Sequence, residues 1–251
     1  MCAPFVMVAP NGARRQKSDH PCLPVTIAET VATAAACHRA GAGALHLHVR
    51  DAAGGHSLDA GRYREALAEL ARALPGMRVQ ITTEAAGVYD VTDQLDCLDQ
   101  VEPDWASISV REIARAPDLA DRVYGLCADK GTEVQHILYD TDDVARLLEW
   151  RSLGIVRPQQ DNIIFVSGSY GDDTTTPENL APFLSALPDA RTWMLCAFGR
   201  REHECLLHAA QFGGDLRVGF ENSLLTADGR PHRDNAASVA ALVSQLKRIA
   251  S

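Results

Sequence analysis

The chain has 251 residues and a formal net charge of -9, from 24 Lys and Arg against 33 Asp and Glu, with 46% hydrophobic residues. That length suits one domain with ample material for a core. The acidic balance, without a Lys/Arg cluster, argues against a nucleic-acid partner, and no apolar run approaches the roughly 20 residues of a membrane helix. Small molecules are therefore the expected partners. The N-terminal residues lack the basic lead and long apolar stretch of a secretory signal, so a cytoplasmic location is expected. Seven cysteines with no CxxC spacing read as reduced, mostly buried thiols.

Short β-prone runs alternate with helical patterns along the whole chain. Strands are predicted at Pro4–Pro10, Ala44–Arg50, Arg78–Thr83, Trp105–Val110, Glu133–Leu138, Ile163–Val166, Thr192–Ala197 and Asp215–Phe220. Helical apolar spacing marks Ile27–Ala40, Gly61–Ala73, Val91–Val101, Asp142–Leu153, Glu178–Leu187, Glu202–Phe212 and Asn235–Ile249. Thr26 with Glu29 three residues on predicts a capping box, and Thr176 before Pro177 predicts a second helix start. Eight β/α units in about 250 residues predict an α/β fold of the TIM (β/α)8 barrel type, with residues 1–251 as a single domain. A doubly wound sheet is the alternative, but no GxGxxG follows the first strand.

Barrel enzymes place their chemistry at the C-terminal ends of the strands. In the second strand, alternation puts Leu45, Leu47 and Val49 on one face and His46, His48 and Arg50 on the other. Two imidazoles about 6 to 7 Å apart along a strand can reach one metal ion, although buried core histidines are the simpler reading of an isolated HxH. In the eighth strand Arg217, Gly219 and Glu221 share a face, with Glu221 at the C-terminal end. Two neutral histidines and one carboxylate with an open position make a catalytic zinc set. A salt bridge to Arg217 is the plain alternative for Glu221. Gln80, Thr82 and Glu84 share a face of the third strand, where hydroxyl and carboxyl groups could orient a substrate. Asn11, Arg14 and Arg15 lie in the turn after the first strand, Ser107 and Ser109 on the fourth, and Glu133 and Gln135 on the fifth. His136 faces the other way and reads as a core or helix-facing residue. The Gly168–Gly171 loop could cradle an anion with backbone N–H groups.

The APNGAR turn, the LPVT helix opening, AGA-x-x-LHLHVRD, TTPENL, AFGR and GG-x-x-RVGFENS occur in this order along nearly the whole chain. Together they resemble the β-keto acid cleavage enzymes, the family typified by 3-keto-5-aminohexanoate cleavage enzyme. The resemblance implies a TIM barrel with a divalent metal, usually zinc, on His46, His48 and Glu221. It also implies a retro-Claisen type exchange of a β-keto acid with acetyl-CoA, giving acetoacetate and a new acyl-CoA, by a homo-oligomer. Arg217, Asn222 and Thr82 become the candidate catalytic positions. Asn11, Arg14, Arg50, Glu84, Ser107 and Gln135 become the candidate substrate contacts.

The chain departs from the family type at four places. Asn222 stands for an aspartate, Thr82-Thr83-Glu84-Ala85 for Ser-Thr-Gly-Gly, Arg14 for a glutamate, and Gln135 for a glutamate that faces a substrate amine. A divergent branch acting on a neutral or anionic substrate is expected. The competing functions are a metal-dependent hydrolase, which would require later histidine ligands not seen here, and a barrel that binds a metal and ligand without turnover.

Overall fold

Residue alternation decides what each strand offers to the inside of the fold. In the computed structural model, which describes residues 3–171 and 174–249, ten strands form. They are β1 (Val6–Val8), β2 (Ala44–Leu47), β3 (Val49–Arg50), β4 (His56–Ser57), β5 (Arg78–Thr82), β6 (Trp105–Ser109), β7 (Glu133–Leu138), β8 (Asn162–Ser167), β9 (Trp193–Ala197) and β10 (Asp215–Val218). The α-helices between them are α1 (Ile27–Ala40), α2 (Ala60–Ala73), α3 (Val91–Val101), α4 (Val110–Ile113), α5 (Ala120–Lys130), α6 (Thr141–Ser152), α7 (Ala181–Ala186), α8 (Glu202–Gln211) and α9 (Asn235–Ile249). Eight strands close into a parallel barrel in the order β1-β10-β9-β8-β7-β6-β5-β2. The fold is a TIM barrel, and β1 closes it by pairing with both β10 and β2.

Outward-facing Leu45, Leu47, Ile81, Leu216 and Val218 join the large core between strands and helices. A second cluster, including Met7, Trp105, Ile137, Ile164 and Met194, fills the barrel itself. The inward polar groups His46, Gln80, Gln135 and Arg217 are all buried. Thr26 and Glu29 form the expected capping box at α1, and the Thr176 N–H donates to Asn179 at the helix start near Pro177. Five of the six described cysteines are buried and none is bonded to another; Cys2 lies outside the described residues. Among these residues no helix is long and apolar enough to cross a membrane.

Three expectations need correction. The second strand does not run to Arg50: it ends at Leu47, and Val49–Arg50 pairs antiparallel with His56–Ser57. The cause is a tight turn in which Asp51 Oδ1 accepts the N–H groups of Ala53 and Gly55, each at 2.8 Å. The last strand stops at Val218, because Gly219 adopts a φ of 143° and opens a turn closed by Asn222 N–H on Gly219 O at 2.8 Å. The segment Glu178–Leu187 is not one helix but a 3-10 turn, Pro177–Leu180, followed by α7. Helix α5 has no counterpart among the predicted elements; its ADRVYGLCADK sequence contains a mid-helix glycine and few large apolar residues.

Candidate metal centre and active site

Three Lewis bases converge at the C-terminal end of the barrel. His46 comes from β2, His48 from the break just after it, and Glu221 from the turn after β10. His46 Nε2 lies 3.1 Å from His48 Nε2, and Glu221 Oε2 lies 3.7 Å and 3.6 Å from these two atoms. Ligand atoms about 2.0–2.1 Å from a tetrahedral ion stand roughly 3.3 Å apart, and the three observed separations bracket that value. All three residues are buried.

The donor chemistry fits a cation as well as the distances do. His46 Nδ1 sits 2.8 Å from Gln80 Oε1. An amide oxygen only accepts, so Nδ1 carries the proton and Nε2 presents its lone pair to the centre. Burial, then the nearby Arg217 charge, holds His46 well below the usual histidine range. Burial, then His46, does the same for His48. Two neutral imidazoles facing a carboxylate leave Glu221 Oε2 with no hydrogen-bond partner among the described residues. A buried carboxylate oxygen in that condition is costly unless a cation or donor meets it. His46, His48 and Glu221 therefore fit a divalent ion.

Glu221 divides its two oxygens. Oε2 faces the histidines, while Oε1 lies 3.5 Å from Arg217 Nη2, so the salt bridge and the metal set coexist. Arg217 Nη2 also reaches Cys196 Sγ at 3.2 Å, whereas its Nε and Nη1 are buried without protein partners. The Glu221 turn is held from behind. Its N–H donates to Ala9 O at 3.0 Å, and the N–H of Gly219 donates to Glu202 Oε1 at 3.0 Å. Asn222 Nδ2 donates to Arg217 O at 3.0 Å. Glu202 is buried, and burial pushes its carboxyl well above the usual range.

The remaining candidates divide into those at the mouth and those built into its frame. Gln80 Nε2 donates to Gln135 Oε1 at 3.1 Å, and Gln135 Nε2 donates to Asn162 Oδ1 at 3.2 Å. Gln135 is thus a link in an amide relay behind His46. Arg50 is buried and donates to the backbone carbonyls of Asn11, Gly12, Arg15 and Gly54. It clamps the loop after β1, as Asn11 does by donating to Pro24 O and His48 O. Ser107 Oγ donates to Ile81 O at 3.5 Å. Thr82 Oγ1 accepts the Glu84 N–H at 3.0 Å, so its hydroxyl supports Glu84. Arg14 is exposed at the rim, and Arg14 and Arg15 lie 5.5 and 5.7 Å from the Tyr170 ring centre.

Tyr170, Cys196 and Glu202 were not legible as site residues. Tyr170 belongs to the loop read as an anion cradle, yet it is its buried phenol that comes close to the metal set. Gly12 sets that approach: its φ is 61°, and a Cβ there would lie 2.6 Å from Glu221 Cγ and also strike the Tyr170 hydroxyl.

A histidine pair, a glutamate and an arginine facing inward at the C-terminal rim of a TIM barrel define a barrel enzyme with a metal-type centre. The chain belongs to the beta-keto acid cleavage enzyme family, whose sequence profile matches residues 4–251. A 3-keto-5-aminohexanoate cleavage enzyme of Fusobacterium nucleatum is 24% identical over 98% of this chain and 92% of the relative. A 3-oxoadipate:acetyl-CoA acetyltransferase of Cupriavidus necator is 26% identical over 96% and 86%. The solved ternary complex of ObcA with a C4-CoA adduct and oxalate shares the fold, with a TM-score of 0.72 and 16% identity over 92% of this chain and 65% of that one. The low identities place the chain on a divergent branch.

Proposed function

We propose that this enzyme exchanges a β-keto acid with acetyl-CoA, yielding acetoacetate and a new acyl-CoA, with a zinc or similar divalent ion on His46, His48 and Glu221. The observation that supports it most is the convergence of three buried Lewis bases beside an arginine with unpartnered donors. When bound, the ion would act as a Lewis acid toward a substrate oxygen. Arg217 offers Nε and Nη1 to the negative oxygens of the β-keto acid. Asn222 is an amide and holds the Arg217 backbone rather than taking a proton. Arg14 and Arg15, stacked on Tyr170, draw anionic substrates to an otherwise acidic protein.

Nitrogen and oxygen donors alone accept several ions, so the test begins with metal analysis of purified protein. About one zinc per chain is expected, and near none after His46→Ala. Zinc-loaded protein is then incubated with a panel of β-keto acids and acetyl-CoA, and acetoacetate and new CoA esters are measured. Full zinc stoichiometry in the variant would refute the ligand assignment. Hydrolysis that ignores acetyl-CoA would point to a hydrolase, and tight binding without product to a non-catalytic barrel. Gln135 offers no carboxylate to a substrate amine, its amide being bonded to Gln80 and Asn162, so neutral or anionic β-keto acids should outperform amino-substituted ones. A homo-oligomer is the proposed assembly.

A further inference from the structure

We propose that Glu84 is the residue that removes a proton from the β-keto acid and later returns it. This rests on the exchange reaction proposed above. Such a reaction needs a group that takes a proton from the carbon between the keto and carboxylate groups, and Asn222 cannot serve because a neutral amide is no base.

Glu84 is placed for the task by its backbone. Register pairs His46 with Gln80, and β5 ends two residues later at Thr82. Glu84 follows in the loop at the C-terminal rim, close enough to the centre to feel the charges of Glu221 and Arg217. Its N–H is held by Thr82 Oγ1 at 3.0 Å, and its C=O accepts from His56 Nε2 at 2.7 Å. The next residue, Ala85, donates its N–H to both Glu112 oxygens at 3.2 and 3.0 Å, and Gln94 anchors Glu112 at 2.8 Å. Ala86 follows in the left-handed region at a φ of 50°, a strained conformation for alanine that clusters at functional loops. All these bonds fix the main chain, while the Glu84 carboxyl has no hydrogen-bond partner among the described residues. A fixed main chain thus carries a partly buried carboxyl that is left unpaired.

Its surroundings agree. Burial, then the carboxylates of Glu221 and Glu112, pushes Glu84 up to about 8, against the opposing pull of Arg14 and Arg217. A carboxyl tuned into this range exchanges protons near neutrality.

The steps balance without another reactant. Glu84 carboxylate takes one proton from the central carbon. The carbanion adds to the acetyl-CoA carbonyl, so a carbon–carbon bond forms and the carbon–sulfur bond breaks, releasing CoA thiolate. The thiolate adds to the original keto carbon, whose bond to the central carbon breaks with the electron pair returning there. Glu84 then gives the proton back, leaving acetoacetate and the new acyl-CoA.

Acetoacetate is itself a β-keto acid, so it serves as the probe without knowledge of the natural substrate. Zinc-loaded wild type and Glu84→Gln are incubated with acetoacetate in deuterium oxide, and loss of the central-carbon proton signal is followed by NMR above the uncatalysed rate. The expected result is at least about 100-fold slower exchange in E84Q, with kcat for transfer reduced alike, KM little changed, and partial recovery in Glu84→Asp. Zinc stoichiometry should stay at the wild-type value and Tm should hold or rise, because a partly buried unpaired carboxyl is removed. Wild-type exchange by E84Q would overturn the proposal while leaving the proposed reaction standing. So would a Tm fall of several degrees that accounts for the lost activity. A wild-type protein that neither exchanges acetoacetate nor transfers acetyl groups would overturn the reaction, and this assignment with it.

Discussion

Two buried histidine sites on opposite faces of the barrel wall behave differently. On the outward face of β7, His136 packs against Tyr124, with ring centres 5.3 Å apart, and its Nε2 donates to Gln160 O at 3.0 Å. Its Nδ1 is buried with no partner among the described residues, a lone pair with no second base converging on it. On the inward face, His46 also gives one nitrogen to a protein oxygen, but the other points at His48 and Glu221. Burial lowers the proton affinity of all three histidines. Burial and a shifted pKa therefore do not distinguish a functional histidine from a structural one. Convergence of unpartnered lone pairs does.

Predictions follow from that contrast. The largest effect belongs to the inward site: Glu221→Gln should reduce bound zinc to near zero and abolish acetyl transfer while leaving a folded barrel, judged by metal analysis and circular dichroism. Next comes acid stability at the outward site. Burial lowers His136 from 6.5 to about 3, so the folded protein keeps it neutral. Its stabilising contribution is complete above pH 6.5 and is lost as pH falls toward 3, because the unfolded chain takes up the proton first. The total reaches roughly 5 kcal/mol. Urea melts of His136→Gln should therefore show a flatter decline across this window than wild type, and identical slopes would refute the role given to burial.

A smaller effect is expected from Gln80→Leu, which leaves the metal set intact but releases the His46 tautomer. Zinc affinity should drop roughly 10- to 100-fold, measured by chelator competition. Smallest is Glu133→Ala at the far end of the relay, where Glu133 meets Arg78 at 2.6 Å on the surface and accepts from Asn162 at 2.8 Å. A loss of about 0.2–1 kcal/mol with unchanged zinc binding would show that orientation of His46 depends on Gln80 and little beyond it.

Strand periodicity carried much of this site into view. His46, His48, Glu221 and Arg217 share faces by alternation, and the order of elements predicts the barrel that brings two ends of the chain together. The break at His48 was less accessible. It depends on Asp51 capping a turn and on Arg50 meeting carbonyls 35 to 39 residues away in sequence. The frame behind the ligands was hidden for the same reason. Gln80, Gln135 and Asn162 come from three strands, and only barrel closure shows that their amides bond to each other rather than to a substrate. Glu202 gave no signal at all, because a glutamate in the first turn of an amphipathic helix ordinarily faces water.

The Arg50 clamp has a further consequence for how this loop can change. Its guanidinium recognises the path of the main chain and not the identity of the residues along it. The letter at position 14 can then be exchanged without loss of the loop's shape, much as keys are recut on one blank, whereas the Arg15 side chain also donates to the carbonyls of Glu221 and Asn222, each at 3.4 Å. A branch of the family can acquire a differently charged rim by substituting that one side chain, while the residues that grip the backbone, Arg15 among them, and the catalytic centre beneath stay as they are.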